Sequence, residues 1–441
     1  MKQVSIVTLG CSKNDIDSGQ MRGVLDESRF AFTDLVMEAE VIVVNTCGFI
    51  DAAKEESIDT ILDLAKLKES GKLETLLLAG CLAQRYPDEL LEAIPEADGI
   101  IGPGHIRSIN EAILKAENHE KPIYAAALEN DYIEDARREE VSVTEYVKIS
   151  EGCNNRCAYC IIPYLKGNNR SRSMEHIVDE IRHLVKRGTR EVILIGQNTT
   201  DYGIDLYGRY ALVDLLKELR TIEDLRWVRI LYAYPDHFDD ELIEEMRDNP
   251  KILPYIDIPI QHVADPVLKR MNRKTDRRAI ESLITRLRRA IPDIAIRSTF
   301  LLGFPGETEL DFQEVLDFLN DYPLERAGAF AYSREEGTPA SAMADQVPDD
   351  RKEARVEAFM AAQMEQSEEL MEKQIGRVLE VLVTEVTEDG AIGRSYLDAP
   401  DIDGMVLIYS DENLAVGDFI KVEITESTAY DLGGDYLEHC K

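Results

Sequence analysis

Ser150-Glu-Gly-Cys153-Asn-Asn-Arg-Cys157-Ala-Tyr159-Cys160-Ile-Ile-Pro163 follows directly on a short apolar stretch, Glu145-Tyr-Val-Lys-Ile149. The apolar stretch reads as a strand, and the glycine ends it. Three cysteines then fall at intervals of four and three residues, close enough to converge on one small metal site. Three thiolates suit a cubane iron–sulfur cluster, whose full protein ligand set would be four cysteines. The missing fourth leaves one iron open, as catalytic metal sites keep a position for substrate. A zinc knuckle would need a fourth Cys or His, and His176 and His183 are poorly spaced to supply it. Buried structural cysteines are the other alternative.

Working outward, the same strand-then-helix alternation continues to about residue 335. Strands are expected at Glu145–Ile149, Glu191–Ile195, Trp227–Leu231, Tyr255–Ile260, Ala295–Leu302 and Gly328–Tyr332. Helices are expected between them at 174–187, 211–221, 238–248, 266–290 and 309–320. Ile280, Leu283, Ile284 and Leu287 recur at three and four, so one helical face packs on the sheet. Thr308 with Asp311 reads as an N-cap pair. Six such units make most of a (β/α) barrel, whose chemistry sits at the C-terminal strand tips. Cys153, Cys157 and Cys160 fall at the first tip, Gly196-Gln197-Asn198-Thr199 at the second, Gln261-His262 at the fourth and Gly303–Glu307 at the fifth. As a set they suggest a pocket for a polar small molecule, although single glycines there read equally well as turns and the Gln–His pair as a satisfied rim. The basic runs Lys166, Arg170 and Arg172 after the cysteine loop, and Arg270, Arg273, Lys274, Arg277 and Arg278, read mainly as solvated faces, with a few members able to hold a carboxylate of a cofactor or substrate.

Residues 1–140 also alternate strand and helix. Val4–Leu9 runs into Gly10-Cys11, Ala39–Val44 into Asn45-Thr46-Cys47, and Leu73–Leu78 into Ala79-Gly80-Cys81. The intervals of 36 and 34 residues are about one βα unit. Right-handed crossovers bring such tips to one edge of a parallel sheet, where ligand sites lie. A second three-thiolate site is therefore expected at Cys11, Cys47 and Cys81.

Arg351–Gln374 reads as one long polar helix, a linker between 351 and 374. From 375 to 441 the composition turns β-rich, with turn signals at Asp389-Gly390 and Gly417-Asp418, as in a small antiparallel barrel. The fold expected overall is α/β: an N-terminal parallel domain (1–140), a partial six-unit barrel (141–350), the linker helix and a C-terminal barrel (375–441). The formal net charge is −35, distributed as −14, −10 and −11 over 1–140, 141–375 and 376–441. No region carries the basic excess that phosphate neutralisation demands of nucleic-acid binders. An acidic surface attracts basic partners instead. There is no run of 18 apolar residues, the N-terminus reads as a strand, and seven cysteines placed in motifs fit a reducing compartment. A cytoplasmic enzyme with no membrane contact is expected.

Cys153-x3-Cys157-x2-Cys160, with Tyr159 before the last cysteine, resembles the radical S-adenosylmethionine superfamily, and Cys11, Cys47 and Cys81 narrow the likeness to its methylthiotransferases. The resemblance spans essentially the whole chain. Two branches compete. Gly10-Cys11-Ser12-Lys13-Asn14, Ile258-Pro-Ile-Gln261-His262, Trp227–Pro235 and Ala399-Pro-Asp-Ile-Asp-Gly404 resemble the branch that modifies an aspartate of small-subunit ribosomal protein twelve. The alternative is the branch that modifies a tRNA adenosine. Gly19, where the family more often has Glu, is the one departure. The resemblance implies two 4Fe-4S clusters, one on each triad, with S-adenosylmethionine on the open iron of Cys153, Cys157 and Cys160. Reductive cleavage of its sulfonium bond would give a radical that takes hydrogen from the aspartyl β-carbon. Sulfur methylated by a second S-adenosylmethionine would come from the cluster at Cys11, Cys47 and Cys81. Tyr159, Gly196, Gln197 and Asn198 would flank the cofactor, and an electron-donor protein would be a partner. The C-terminal region resembles a TRAM domain, usually an RNA-binding module. Here four basic residues face 15 acidic ones, which favours a basic protein substrate, free or on the ribosome.

Overall fold

The computed structural model describes residues 1–69, 71–125, 141–388 and 390–440; Asp389 and the expected boundary at residue 140 lie outside them. The N-terminal domain is a six-stranded parallel sheet of β1 (Lys2–Thr8), β2 (Phe30–Phe32), β3 (Val41–Thr46), β4 (Thr75–Ala79), β5 (Gly99–Ile101) and β6 (Ile123–Tyr124), ordered β2-β1-β3-β4-β5-β6. Every residue of β3 and β4 is buried, because helices cover both sheet faces. The three expected strands are the central neighbours β1, β3 and β4. The three additional strands are short edge pieces.

The middle region opens with β7 (Thr144–Lys148). A two-residue antiparallel pair, β8 (Ser150–Glu151) with β9 (Arg170–Ser171), then brackets the cysteine loop. The remaining strands are β10 (Glu191–Ile195), β11 (Trp227–Ile230), β12 (Tyr255–Asp257), β13 (Ala295–Leu302) and β14 (Arg326–Ala331). The sheets β11-β10-β7 and β12-β13-β14 meet through the parallel bridge Val228–Ile252. Six parallel strands thus curve in chain order. Val192, Leu194, Val228, Ile230, Ile256 and Ile296 face the helical layer, while Ile193, Ile195, Trp227 and Tyr255 face inward.

Two of the expected helices need correction. The helix expected over 266–290 is two helices, Asp265–Arg270 and Arg277–Ala290. Asn272, at φ 57°, ends the first, and Asp276 caps the second by accepting from the Ala279 N–H at 2.8 Å. The polar helix Asp349–Glu372 does more than link. Its Phe359 is fully buried, 4.9 Å from the Phe300 ring, and Gln363 and Gln366 bond to backbone at Leu324. It hides as a linker in sequence because much of its packed face is polar and satisfied: Arg355, Gln363 and Ser367 are buried.

The C-terminal domain is a closed five-stranded barrel of β15 (Val378–Thr387), β16 (Gly390–Arg394), β17 (Val406–Tyr409), β18 (Phe419–Ser427) and β19 (Leu432–His439). It is not wholly antiparallel, since β17 and β19 pair in parallel. The segment between β16 and β17 plugs the bottom of the larger barrel. There the inward side chains at the strand starts are charged. Arg229 donates to the carbonyls of Ser395 and Tyr396, Arg326 pairs with Asp398 at 2.6 Å, Arg297 with Asp403 at 3.3 Å, and Tyr255 donates to Asp403 at 2.7 Å. Arg394 and Arg229 both hold the buried Glu191. Inward residues of the large barrel and the core of the small one form one continuous apolar cluster.

Candidate active site

The first triad sits where the fold expects chemistry, beyond the tip of β7. Gly152, at φ +78°, lets the chain turn into the loop; a Cβ there would meet the Asn168 carbonyl oxygen at 2.2 Å. Inside the loop, the Cys160 N–H donates to the Cys157 carbonyl at 3.0 Å, and the Asn155 N–H lies 3.5 Å from Cys153 Sγ. Loss of solvent on burial pushes the Cys153 thiol up to about 11 and Cys160 to about 12. A thiolate here therefore requires a bound cation or metal.

Around this loop the expected cofactor contacts divide. Gly196 is required by a close approach, since a Cβ would meet Ser150 Oγ at 2.7 Å. Gln197 donates to Glu151 Oε1 at 2.7 Å, while its own carbonyl oxygen is buried with no partner. Asn198 caps the next turn, its oxygen accepting from the Thr200 N–H and hydroxyl and from the Tyr234 N–H. Tyr159 stands edge-on to Phe304 and accepts from Arg273 at 3.5 Å. Arg273 is the residue the basic run concealed. The helix break turns it inward, where it donates to the Pro259 carbonyl at 2.6 Å, lies over the Tyr234 ring at 4.0 Å and comes within 3.9 Å of Cys157 Sγ. Its Nε is buried without a partner. Beside it, Asp236 faces His237 at 3.2 Å and Lys274 at 3.7 Å without a hydrogen bond of its own. Buried polar atoms left open beside a cysteine loop fit a polar, zwitterionic cofactor.

Two residues expected at the pocket serve elsewhere. His262 is fully buried and its Nδ1 accepts from the Ala264 N–H at 3.0 Å, closing a turn. Glu307 is held by Arg355 of the long helix at 2.8 Å. Burial lowers the His262 pKa to about 3 and raises that of Glu307 to about 7.

Cys11 precedes the helix Ser12–Gly23, Cys47 follows β3, and Cys81 is the second residue of the helix Gly80–Arg85, so the three stand beyond adjacent strands β1, β3 and β4. Gly10 (φ +98°) and Gly80 (φ +88°) permit the crowding: a Cβ on Gly10 would meet Cys47 Cβ at 2.8 Å, and one on Gly80 would meet Asn45 Oδ1 at 2.4 Å. Asn14 ties two of the loops together, donating to the Leu9 carbonyl at 2.7 Å and the Thr46 carbonyl at 3.3 Å. Thr46 donates to the Ala79 carbonyl at 2.5 Å, joining the third. Burial above all pushes the Cys81 thiol up to about 12 and raises that of Cys47. Among the described residues, no three His, Cys, Asp or Glu side chains close tightly enough around a single ion. A cubane, with its thiolates on separate corners, asks for a wider set. Cys81 packs against Ile161, which directly follows Cys160, and against Leu165 at the end of the next short helix, so the two triads face each other across that contact.

The chain is similar to curated ribosomal protein uS12 methylthiotransferases RimO. It is 47% identical to that of Desulforamulus reducens, covering 99% of this chain and all of the relative. It is 46% identical to that of a Thermoanaerobacter species at the same coverage, and 43% identical to that of Clostridioides difficile over 99% of both chains. The chain belongs to the RimO family of methylthiotransferases. Family descriptions divide it as an uncharacterized protein family over residues 3–102, the Radical SAM superfamily over 147–319 and a TRAM domain over 375–437. Among solved structures, the radical S-adenosylmethionine methyltransferase TsrM of Kitasatospora setae matches with a TM-score of 0.55 at 14% identity, over 86% of this chain and 80% of that one. The cobalamin-dependent S-adenosylmethionine radical enzyme OxsB matches at 0.52 and 13%, over 81% and 56%. At these identities the likeness is one of fold.

Seen as a RimO-family chain, its distinguishing stretches meet in space. Lys13 places its ammonium 3.3 Å from the centroid of the Tyr232 ring, and the Tyr232 N–H donates to Asp257, which Arg297 holds at 3.0 Å. Arg297 also holds Asp403 of the plug. The Gly10–Asn14, Trp227–Pro235 and Ala399–Gly404 stretches are thus one connected structure. No sequence spacing could have shown that.

Proposed function

We propose that this chain places a methylthio group on the β-carbon of an aspartate in ribosomal protein uS12, working in the cytoplasm with two 4Fe-4S clusters and S-adenosylmethionine. The observation that carries the reading is the second triad, at the strand tips of its own sheet and facing the first across Cys81, Ile161 and Leu165. A radical enzyme that only abstracted hydrogen would have no use for it. Bound at the two triads, the clusters and S-adenosylmethionine supply the electron, the hydrogen-abstracting carbon, the sulfur and the methyl group, with an electron-donor protein as reductant.

The protein's part is holding and shielding. Cys153, Cys157 and Cys160 hold one cluster and Cys11, Cys47 and Cys81 the other. Arg273 sets a fixed positive charge 3.9 Å from Cys157 Sγ, where it would offset the negative charge of a cluster held there. Gln197 and the Asp236–Lys274 pair offer acceptor and donor groups for the cofactor's charged methionine end. Tyr159 and Phe304 form an apolar wall that keeps water from a reactive carbon. Glu385, Glu388, Asp411, Glu412, Glu423 and Glu438 stay exposed on the C-terminal barrel, which suits a basic protein and repels a tRNA backbone. Reduced, reconstituted enzyme incubated with uS12 should add one methylthio group, read as the intact mass shift. Modification of tRNA with uS12 untouched would overturn the assignment.

A further inference from the structure

Between the triads lie four charged side chains that the chemistry does not call on. Lys148 Nζ contacts Asp17 and lies 2.6 Å from Glu151 Oε2; Lys166 Nζ lies 3.0 Å from Glu151 Oε1 and 3.4 Å from Asp17 Oδ2. All four side chains are 3–7% exposed. Two ammonium groups and two carboxylates balance, and each ammonium touches both carboxylates. Buried charges are costly unless paired in good geometry, so such a quartet tolerates few arrangements. An apolar contact of the same size would let the domains slide.

Its position gives it a use. Asp17 is on the helix that starts directly after Cys11. Lys148 ends β7 and Glu151 stands two residues before Cys153. Lys166 follows the helix Ile162–Leu165, whose Leu165 packs on Cys81, and its charge reaches the Cys81 thiol. Gln197, whose side-chain carbonyl is buried without a partner, donates to Glu151. A continuous polar path therefore runs from the first site to the helix of the second, and it crosses the domain boundary at Asp17. Another anchor stands beside the second triad, where Lys54 and Arg85, the latter on the Cys81 helix and donating to the Gly48 carbonyl, hold Glu335 at 2.7 and 2.9 Å.

We propose that Asp17, Lys148, Glu151 and Lys166 are positioning residues that hold the two triads at one separation and orientation, so that sulfur from one meets the carbon activated at the other. The proposal rests on the methylthiotransferase reading. The test is the pair Asp17→Leu with Lys166→Met, which removes this cross-domain tie and leaves Lys148 and Glu151 balanced, with Lys54, Arg85 and Glu335 intact. Iron per chain should stay at the wild-type value and S-adenosylmethionine should still be cleaved. Methylthiolated uS12 per cleavage should fall about tenfold or more, as misplaced reacting groups lose rate steeply. The spin–spin coupling between the two reduced clusters should change with it, a readout independent of turnover. A wild-type product ratio with unchanged coupling would overturn the proposal. So would loss of iron from the Cys11, Cys47 and Cys81 site, because the tie would then support a cluster rather than place it. Wild-type product yield, measured in parallel, tests the underlying reading separately.

Discussion

At the scale of single residues, burial has decided the charge state of two groups that the sequence placed at the pocket and the fold uses for structure. His262 has a folded pKa near 3, below its ordinary value of 6.5, because the neutral ring is enclosed and accepts a backbone N–H. Its contribution to stability is complete above pH 6.5 and is lost as pH falls toward 3. His262→Asn should therefore flatten the acid limb of a stability–pH curve between those values; an unchanged slope would mean that the ring is not held neutral. Glu307 works the other way. Its raised pKa, near 7, gives stability below its ordinary value of 4.5 that is lost as pH rises through 7. Arg273 acts by charge on the first cluster. Arg273→Met should leave that cluster assembled but shift its reduction potential negative and slow S-adenosylmethionine cleavage, as a redox titration followed by electron paramagnetic resonance would show. The cysteines themselves were legible from sequence, because strand, glycine and cysteine adjoin in the chain. Arg273 was not. Its inward turn depends on Asn272 adopting φ 57°, and the run of basic residues around it reads as a wet helix face.

Among elements, periodicity found what local burial dictates and missed what long-range pairing dictates. Strands with alternating or continuous apolar patterns, such as Glu191–Ile195 and Ala295–Leu302, form where the pattern places them. The capping box at Thr308 and Asp311 is present as the sequence suggests. The helix Asp349–Glu372 defeated the pattern, because polar residues with distant partners fill much of its packed face. Phe359 is its apolar anchor, and Phe359→Ala should destabilise the protein by about 3–5 kcal/mol, the usual range for emptying a buried aromatic site. Denaturant unfolding checks this, and a loss within ~0.5 kcal/mol, as for surface sites, would restore the linker view. The quartet of Asp17, Lys148, Glu151 and Lys166 was equally invisible, since its cross-domain contacts join residues 131 and 149 positions apart.

For the whole molecule, three domains that read as separable pieces share contacts that carry function. The barrel interior is finished by residues 395–403, so the C-terminal domain is part of the core of the middle one. Removing residues 377–441 would expose Ile193, Ile195, Trp227 and Tyr255 and leave Arg229, Arg297 and Arg326 without their partners from that domain. Such a truncation should aggregate; a soluble, cooperatively unfolding product would show that the domain is an appended module. The acidic tail consequently has two roles, with Asp398 and Asp403 committed to the plug and the exposed carboxylates left for a partner. The division of labour between the triads is the central claim, and one paired measurement tests it most directly. In reconstituted Cys157→Ala and Cys47→Ala enzymes, 5′-deoxyadenosine and methylthiolated uS12 are quantified side by side. Cys157→Ala should form neither, whereas Cys47→Ala should still cleave S-adenosylmethionine and yield no methylthiolated product. Identical behaviour of the two variants would contradict the account.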